Sequence, residues 1–400
     1  MSTQIHVTSE IGALRSVLVH TPGRELEAVT PGTREDYLYD DLIGLEVSAR
    51  EHRRLVAVLR RFATVHEISS LLVETLASSA AREALVTRTV EWAPSEGLAG
   101  QLAGIPAERL VQMLVEGIEE QAGFVLPPLP NLFFPRDIGM VIGSHAVVGS
   151  MRYGIRWPEE LLIKTLFQHH PELANAGILY DGSEERRSNA TLEGGDVHVL
   201  REDLLLVGYS ERSSPAALDQ LCERVFAETA VTEVIVVVMP KEPTAIHLDM
   251  LWTQVDRDLC VVYPPLFIGP ERLTILHRHR GEATVREAPD LFAALAKVGL
   301  PMDPILAGGE RRLDQEREQW ASGCNFFAVR PGVVISYQRN QRTLEEMDRA
   351  GFRILTSTEA EAVDDWQAAG RTVITLEGGE LVRGGGGPRC MTLPVRRDPL

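Results

Sequence analysis

The feature that most constrains this chain is a pattern that returns along its length: a short polar cluster, a β-rich run, a tight turn and a second β-rich run. It reads RDIGMVI–GS–HAVVGSM, EGGDVHVL–RED–LLLVGYS, HLDMLWTQV–DRD–LCVVYPP and GCNFFAV–RPG–VVISYQR, and a fifth polar cluster, GGGGPRCMTLPV, ends the sequence. Paired β-rich runs joined by so short a turn are hairpins. Helical spacing follows most of them, over 159–170, 214–228, 286–298 and 342–350, and a short strand such as EVIVVVM often comes next. The run LRSVLVH at 14–20 alternates and stops at Thr21-Pro22-Gly23. It can supply the partner strand that the last polar cluster lacks, so the two chain ends are expected to close a ring. Repetition of this kind implies one supersecondary unit per repeat. The expectation is an α/β fold, one catalytic domain over 1–400, in which polar clusters at the entrances of strands face a single central site.

One stretch breaks the pattern. EVSAREHRRLVAVLRRF, ETLASSAAREALVTRTV and PAERLVQMLVEGIEE carry apolar residues at helical spacing, so an all-helical insertion is expected at about 46–122. Pro127-Pro128 and Pro130 mark a stiff exit from it.

Composition narrows the function classes. With 44% hydrophobic and 24% charged residues the chain has an ordinary soluble profile, and 400 residues can bury a core without disulfide or metal staples. A net charge of −17 argues against nucleic acid, which demands clustered Lys and Arg. The cysteines at 222, 260, 324 and 390 are scattered, without a Cys-x-x-Cys pair, which suits a reducing compartment where each is core filler or a nucleophile. MSTQIHVTSE lacks the regions of a signal peptide, and no apolar run approaches the roughly 20 residues of a membrane helix. The expected location is the cytoplasm, away from any membrane.

The polar clusters carry the chemistry. Cys390 lies behind four glycines, 384–387, whose backbone freedom allows a shifting or tightly wound loop. A thiolate there is a competent nucleophile once its pKa falls or its substrate is cationic. In His247-Leu248-Asp249, read as a strand, residues two apart share a face, so imidazole and carboxylate would point together for general acid–base work. No second His or Cys stands at ligand spacing, so no metal is expected. Glu193 and Asp196 enclose two glycines that permit close approach, and burial would raise a carboxylate pKa there. Asp137 could grip a planar guanidinium through two parallel hydrogen bonds, with Phe133 and Phe134 stacking on it. Each motif alone also reads as an ordinary turn or core segment. Together they supply what guanidinium hydrolysis requires: a soft nucleophile, a proton shuttle and carboxylates for a delocalised cation. Cys222, Cys260 and Cys324 read as core.

Taken in order, NLFFPRDIG, EGGDVHVL, HLDM, GCNFFAVRPGVVISYQRN and GGGGPRCMTLP resemble the arginine deiminases of the guanidine-modifying superfamily. The opening SEIGALRSVLVHTPGRELEAVTP and DDLIGLEVSAREH share the resemblance, which covers essentially the whole chain. It implies a five-bladed α/β propeller (the pentein fold) with pseudo-fivefold symmetry. Cys390 would attack the guanidinium carbon, Asp137 and Asp249 would bind guanidinium nitrogens, and His247 and Glu193 would move protons. A thiouronium intermediate would be hydrolysed, converting arginine to citrulline and ammonia with no cofactor. Asn131, Arg156 and Arg212 stand where family members bind the substrate α-carboxylate, and Phe134 and Asp196 complete the expected substrate-binding set. Pro135, Ile138, Trp157-Pro158 and Gly385 depart from the family pattern near that carboxylate end and not at the guanidinium end, so the chemistry is expected to be kept, with arginine as the substrate and another guanidino compound as the alternative. An amidinotransferase, a dihydrolase and a non-catalytic guanidine-binding protein are the rival readings. The expected partner is a small guanidino substrate, and a homo-oligomer is compatible with the sequence.

Overall fold

Runs of Val, Ile and Leu bounded by turn residues form the strands, and their pairing repeats. The computed structural model describes residues 5–121, 123–174, 177–185 and 189–400. Among these residues five sheets begin alike: an antiparallel pair, then a strand lying parallel to the second member of the pair. Gly139–Ile142 pairs with His145–Val148, helix Trp157–His169 crosses over, and Ile178–Asp181 returns parallel. The next unit is Val197–Arg201, Leu204–Tyr209, helix Pro215–Glu228 and Glu233–Val238. Then come Trp252–Gln254, Leu259–Val262, helix Leu291–Lys297 and Asp303–Leu306. In the following unit, Phe327–Arg330 pairs with Val333–Tyr337, helix Gln341–Arg349 crosses, and Thr372–Leu376 takes the parallel position with Arg353–Thr356 outside it. A parallel return needs such a crossover because a tight turn can join only antiparallel neighbours.

The remaining unit joins the two ends of the described chain. Leu393–Arg397 runs antiparallel to Leu14–Val19, with Leu393 opposite Leu18 and Arg397 opposite Leu14. Helix Leu45–Leu59 then leads to Thr64–Glu67, which lies parallel to Leu14–Val19. The span 46–122 is therefore not wholly helical. Thr64–Glu67 belongs to the sheet, and the helices of the insertion proper are Ile68–Thr75, Ser79–Trp92, Leu98–Leu102 and Ala107–Glu116. A small hairpin, Ile118–Glu120 with Gly123–Leu126, closes it. TVHE is too short to show a period of its own between two helices, which is why helical spacing masks it.

The helix expected at 286–298 also needs correction. Arg286–Ala288 is an edge strand on Thr274–His279, which in turn pairs antiparallel with Glu233–Val238, and the helix begins only after Asp290, whose carboxylate caps Ala293 N at 2.8 Å. Asp at this position satisfies an orphan N–H that a longer helix would not have exposed.

Strands such as Leu204–Tyr209 and Glu233–Val238 are buried almost throughout, so they read as continuous apolar runs rather than alternating ones. Among the described residues no helix is long and apolar enough to cross a membrane. What matters for the site is phase. The polar clusters at 135–138, 193–196, 247–250, 324–325 and 389–390 each stand just before the first strand of a pair.

Candidate active site

The clusters are bonded to one another, although they lie far apart in sequence. Cys390 is 4% exposed, and its Sγ lies 3.7 Å from Asp249 Oδ2. Asn325 donates to the same sulfur from Nδ2 at 3.2 Å. Arg389 donates through Nη1 to Asp249 Oδ2 at 2.9 Å, and through Nε and Nη2 to Glu10 Oε2 and Oε1 at 3.0 and 3.2 Å. Burial, together with the carboxylates of Asp249 and Asp137, pushes the Cys390 thiol well above its ordinary pKa. At rest Cys390 is thus a neutral thiol, and a bound cation would offset the anionic neighbours that keep it so.

His247 lines the same cavity as Cys390. His247 Nε2 donates to Glu193 Oε2 at 2.8 Å, and Nδ1 lies 3.6 Å from Asp137 Oδ1. Burial alone would lower the imidazole pKa, but Asp137, Glu193 and Asp196 outweigh it and raise it to about 9. Near neutrality His247 is an imidazolium. Glu193 is fully buried; burial favours its neutral form, but Arg212 and His247 prevail and hold it down at about 2. A Cβ on Gly195 would lie 2.6 Å from the His247 ring, so only glycine admits the imidazole here.

The His247–Asp249 tripeptide is not a strand. His247 is extended, Leu248–Met250 forms a 3-10 turn, and the strand starts at Trp252. Asp196 causes this, because its Oδ1 accepts Leu248 N at 2.9 Å and draws the chain into the turn. The other oxygen of Asp196 accepts from Ser210 and Ser213, both at 2.6 Å. Asp196 therefore braces two site segments, and it does not line the cavity expected to hold substrate. Burial raises its pKa to about 6 despite these bonds and the nearby imidazole.

A cavity is lined by Cys390, His247 and Asp137, and it shares Leu38, Ile246 and Met250 with a wider neighbouring chamber. The residues expected at the carboxylate end line this cavity with unequal freedom. Arg156 is 3% exposed and committed to carboxylates of the protein itself: Nη1 donates to Asp137 Oδ2 at 2.6 Å, and Nε and Nη2 donate to Glu159 Oε2 at 3.0 and 2.8 Å. Its fork fixes Asp137 rather than pointing at open space. Arg212 is freer. It donates to Glu193 Oε2 at 3.3 Å and stacks 4.8 Å over the Tyr153 ring, while its buried Nε has no partner. Asn131 donates to Tyr37 O at 2.8 Å, and Phe134 packs on Phe133 with ring centres 3.9 Å apart.

Two buried oxygens, Asp137 Oδ1 and Asp249 Oδ1, accept no hydrogen bond. Leaving a buried acceptor unsatisfied costs about 1–3 kcal/mol, and more for a charged group. A planar cation with several N–H donors, held between the two, would repay both. Donor atoms of Asp137, Glu193 and His247 also lie within 4.8 Å of one another, a set that could hold a divalent cation only by displacing the imidazolium proton.

Sequence reasoning missed Asn325, Arg389, Glu10 and Glu159. Asn325 had a usable signal, since it occupies the strand-entrance phase in GCNFF. The others become visible only through contacts, such as Arg389 with Glu10, 379 residues away.

Solved structures share this fold. An amidinotransferase of saxitoxin biosynthesis from Microseira wollei superposes with a TM-score of 0.56 at 14% identity, covering 99% of this chain and 98% of that one. The N-terminal domain of a cyanobacterial arginine dihydrolase of the ornithine-ammonia cycle gives 0.55 at 15% identity, covering 96% and 97%. At these identities the likeness concerns the fold alone. Sequence relatives lie nearer: arginine deiminases of Rhodococcus opacus (strain B4) and Listeria monocytogenes serotype 4a (strain HCC23) are each 33% identical, over 100% of this chain and 99% of theirs. The profile of the family described as Arginine deiminase matches residues 95–397. Because that profile takes in the whole run of polar clusters from Asn131 to Cys390, and the relatives align end to end, the chain belongs to the arginine deiminase family.

Proposed function

We propose that this protein hydrolyses free L-arginine to L-citrulline and ammonia through a thiouronium intermediate on Cys390. The observation that carries the reading is the pair of buried carboxylate oxygens that accept no hydrogen bond, Asp137 Oδ1 and Asp249 Oδ1, beside a buried thiol and an imidazolium. The guanidinium lies between the two carboxylates, and its positive charge lowers the cost of ionising Cys390, whose proton passes to solvent. The sulfur then forms a bond to the guanidinium carbon. His247 protonates one terminal nitrogen, that C–N bond breaks, and ammonia leaves. Neutral His247 next takes a proton from water as its oxygen adds to the thiouronium carbon. The C–S bond breaks, the sulfur departs as a thiolate, and the adduct's hydroxyl gives up its proton to solvent as the ureido carbonyl of citrulline forms. General acid–base help of this kind contributes about 10²–10⁴ in rate.

Arg212, with donors to spare, receives the α-carboxylate, and Asn131 lines the same cavity. Arginine should accordingly be used far better than agmatine, which lacks that carboxylate. A reducing, cytoplasmic setting keeps the thiol available, and all four cysteines are free. The five units read best as blades of a pentein propeller whose ring is closed by the pairing of Leu14–Val19 with Leu393–Arg397.

Product analysis tests the function. Equimolar citrulline and ammonia from arginine, with no amine acceptor added, fit the proposal. Ornithine with two ammonias would make the chain a dihydrolase, and product formation only with an added amine would make it an amidinotransferase.

A further inference from the structure

We propose that Asn325 is a further catalytic residue, its side-chain amide holding the Cys390 sulfur as an anion before attack and again as the leaving group. The inference rests on the cysteine chemistry proposed above. Asn325 is 0% exposed, and every polar atom of its amide is used. Oδ1 accepts two consecutive backbone N–H groups, from Arg389 at 2.9 Å and Cys390 at 3.3 Å. Those donors fix which end of the amide is oxygen, so Nδ2 must be the end that meets the sulfur. One Nδ2 hydrogen goes to Asp249 O at 3.2 Å, and the other lies toward Cys390 Sγ at 3.2 Å. Gly387 makes room, since a Cβ there would stand 2.6 Å from Asn325 Oδ1.

The surroundings of the sulfur explain why a neutral donor matters. Asp249 and Asp137 face it with negative charge and oppose ionisation. Arg389 is the cation beside it, yet its fork is spent on Asp249 and Glu10. His247 lines the same cavity, and the Tyr337 hydroxyl donates to Gly386 O at 3.1 Å. The Gly387 backbone N–H helps, but among the described side chains it is Asn325 that donates to Sγ. As the C–S bond forms, the sulfur lone pair is withdrawn from this hydrogen bond; when the bond breaks, the lone pair returns to it. The amide should therefore assist both half-reactions.

The test compares wild type with Asn325→Ala and Asn325→Asp in the full chain. Asn325→Asp keeps an oxygen for the two backbone N–H groups, so the loop can hold its shape, but at alkaline pH it offers the sulfur no donor. The readouts are the pH dependence of Cys390 alkylation by iodoacetamide, located by peptide mass spectrometry, and kcat and KM for arginine. A hydrogen bond to a charged group of the usual strength corresponds to about one to two pH units. The alkylation inflection should move up by that much, more in Asn325→Asp than in Asn325→Ala. kcat should fall roughly 10- to 100-fold with KM little changed. A folded Asn325→Asp protein with unshifted alkylation and unchanged kcat would overturn the proposal while leaving the nucleophile in place. A wild type that releases no citrulline would instead defeat the underlying reading, and the alkylation profile would still decide whether the amide holds the thiolate.

Discussion

At the scale of single residues, the site is a balance of charges around one imidazole. In the proposed mechanism His247 must be protonated to release ammonia, and its carboxylate neighbours keep it so up to about pH 9. Once bound arginine has let the thiol ionise, loss of the His247 proton should make kcat fall at alkaline pH. Replacing Glu193 by Gln removes one of the charges that raise the imidazole pKa, so the alkaline limb should move down by about 1–2 units. A pH–rate profile of the variant checks this. The same raised pKa contributes stability that is complete below the ordinary histidine value of 6.5 and disappears as pH climbs through about 9. A second expectation concerns Gly195. The Gly195→Ala methyl would push the imidazole aside, and a displacement near 1 Å costs on the order of 10²-fold in rate. Steady-state kinetics should show that loss in kcat, with an unchanged circular dichroism spectrum. That Cys390, His247, Glu193, Asp137 and Asp249 could share one site was legible in the sequence because residue type announces chemistry, and the structure brings them together in one bonded cluster. Asn325 and Arg389 were not, because an amide or a guanidinium gains a role only from what it touches.

At the scale of elements, hairpins were legible and boundaries were not. Two β-rich runs around RED or RPG can hardly pair otherwise, and both hairpins form. The turn after His247 was hidden because its cause, the carboxylate of Asp196, arrives from another unit. Thr64–Glu67 was hidden because a short strand between helices carries no period. Leu393–Arg397 is the element whose loss should be felt most, since it covers one edge of Leu14–Val19 and immediately follows the Cys390 loop. A chain ending at Thr392 leaves that apolar edge open to other chains. It should lose its cooperative thermal transition and aggregate, as calorimetry and light scattering would register.

At the scale of the whole molecule, Arg389 joins the two ends around the site: Glu10 on one side and Asp249 on the other, with Arg136 and Arg397 buried close by. Removing one partner from a buried ion pair leaves an uncompensated charge and costs about 3–5 kcal/mol. Arg389→Met should accordingly lower stability by about that amount in denaturant unfolding, whereas exposed pairs such as Arg342–Glu345 should contribute little. Repetition in the sequence announced that distant clusters meet, but not that an internal arginine would tie them together. Whether those clusters perform nucleophilic chemistry is answered most directly by acid-quenching the enzyme during turnover of arginine and mapping its peptides by mass spectrometry. The expected result is the mass of arginine less ammonia on the Cys390 peptide, absent from Cys390→Ser. Steady citrulline release with no adduct on that peptide, at quench times spanning a single turnover, would contradict the cysteine mechanism.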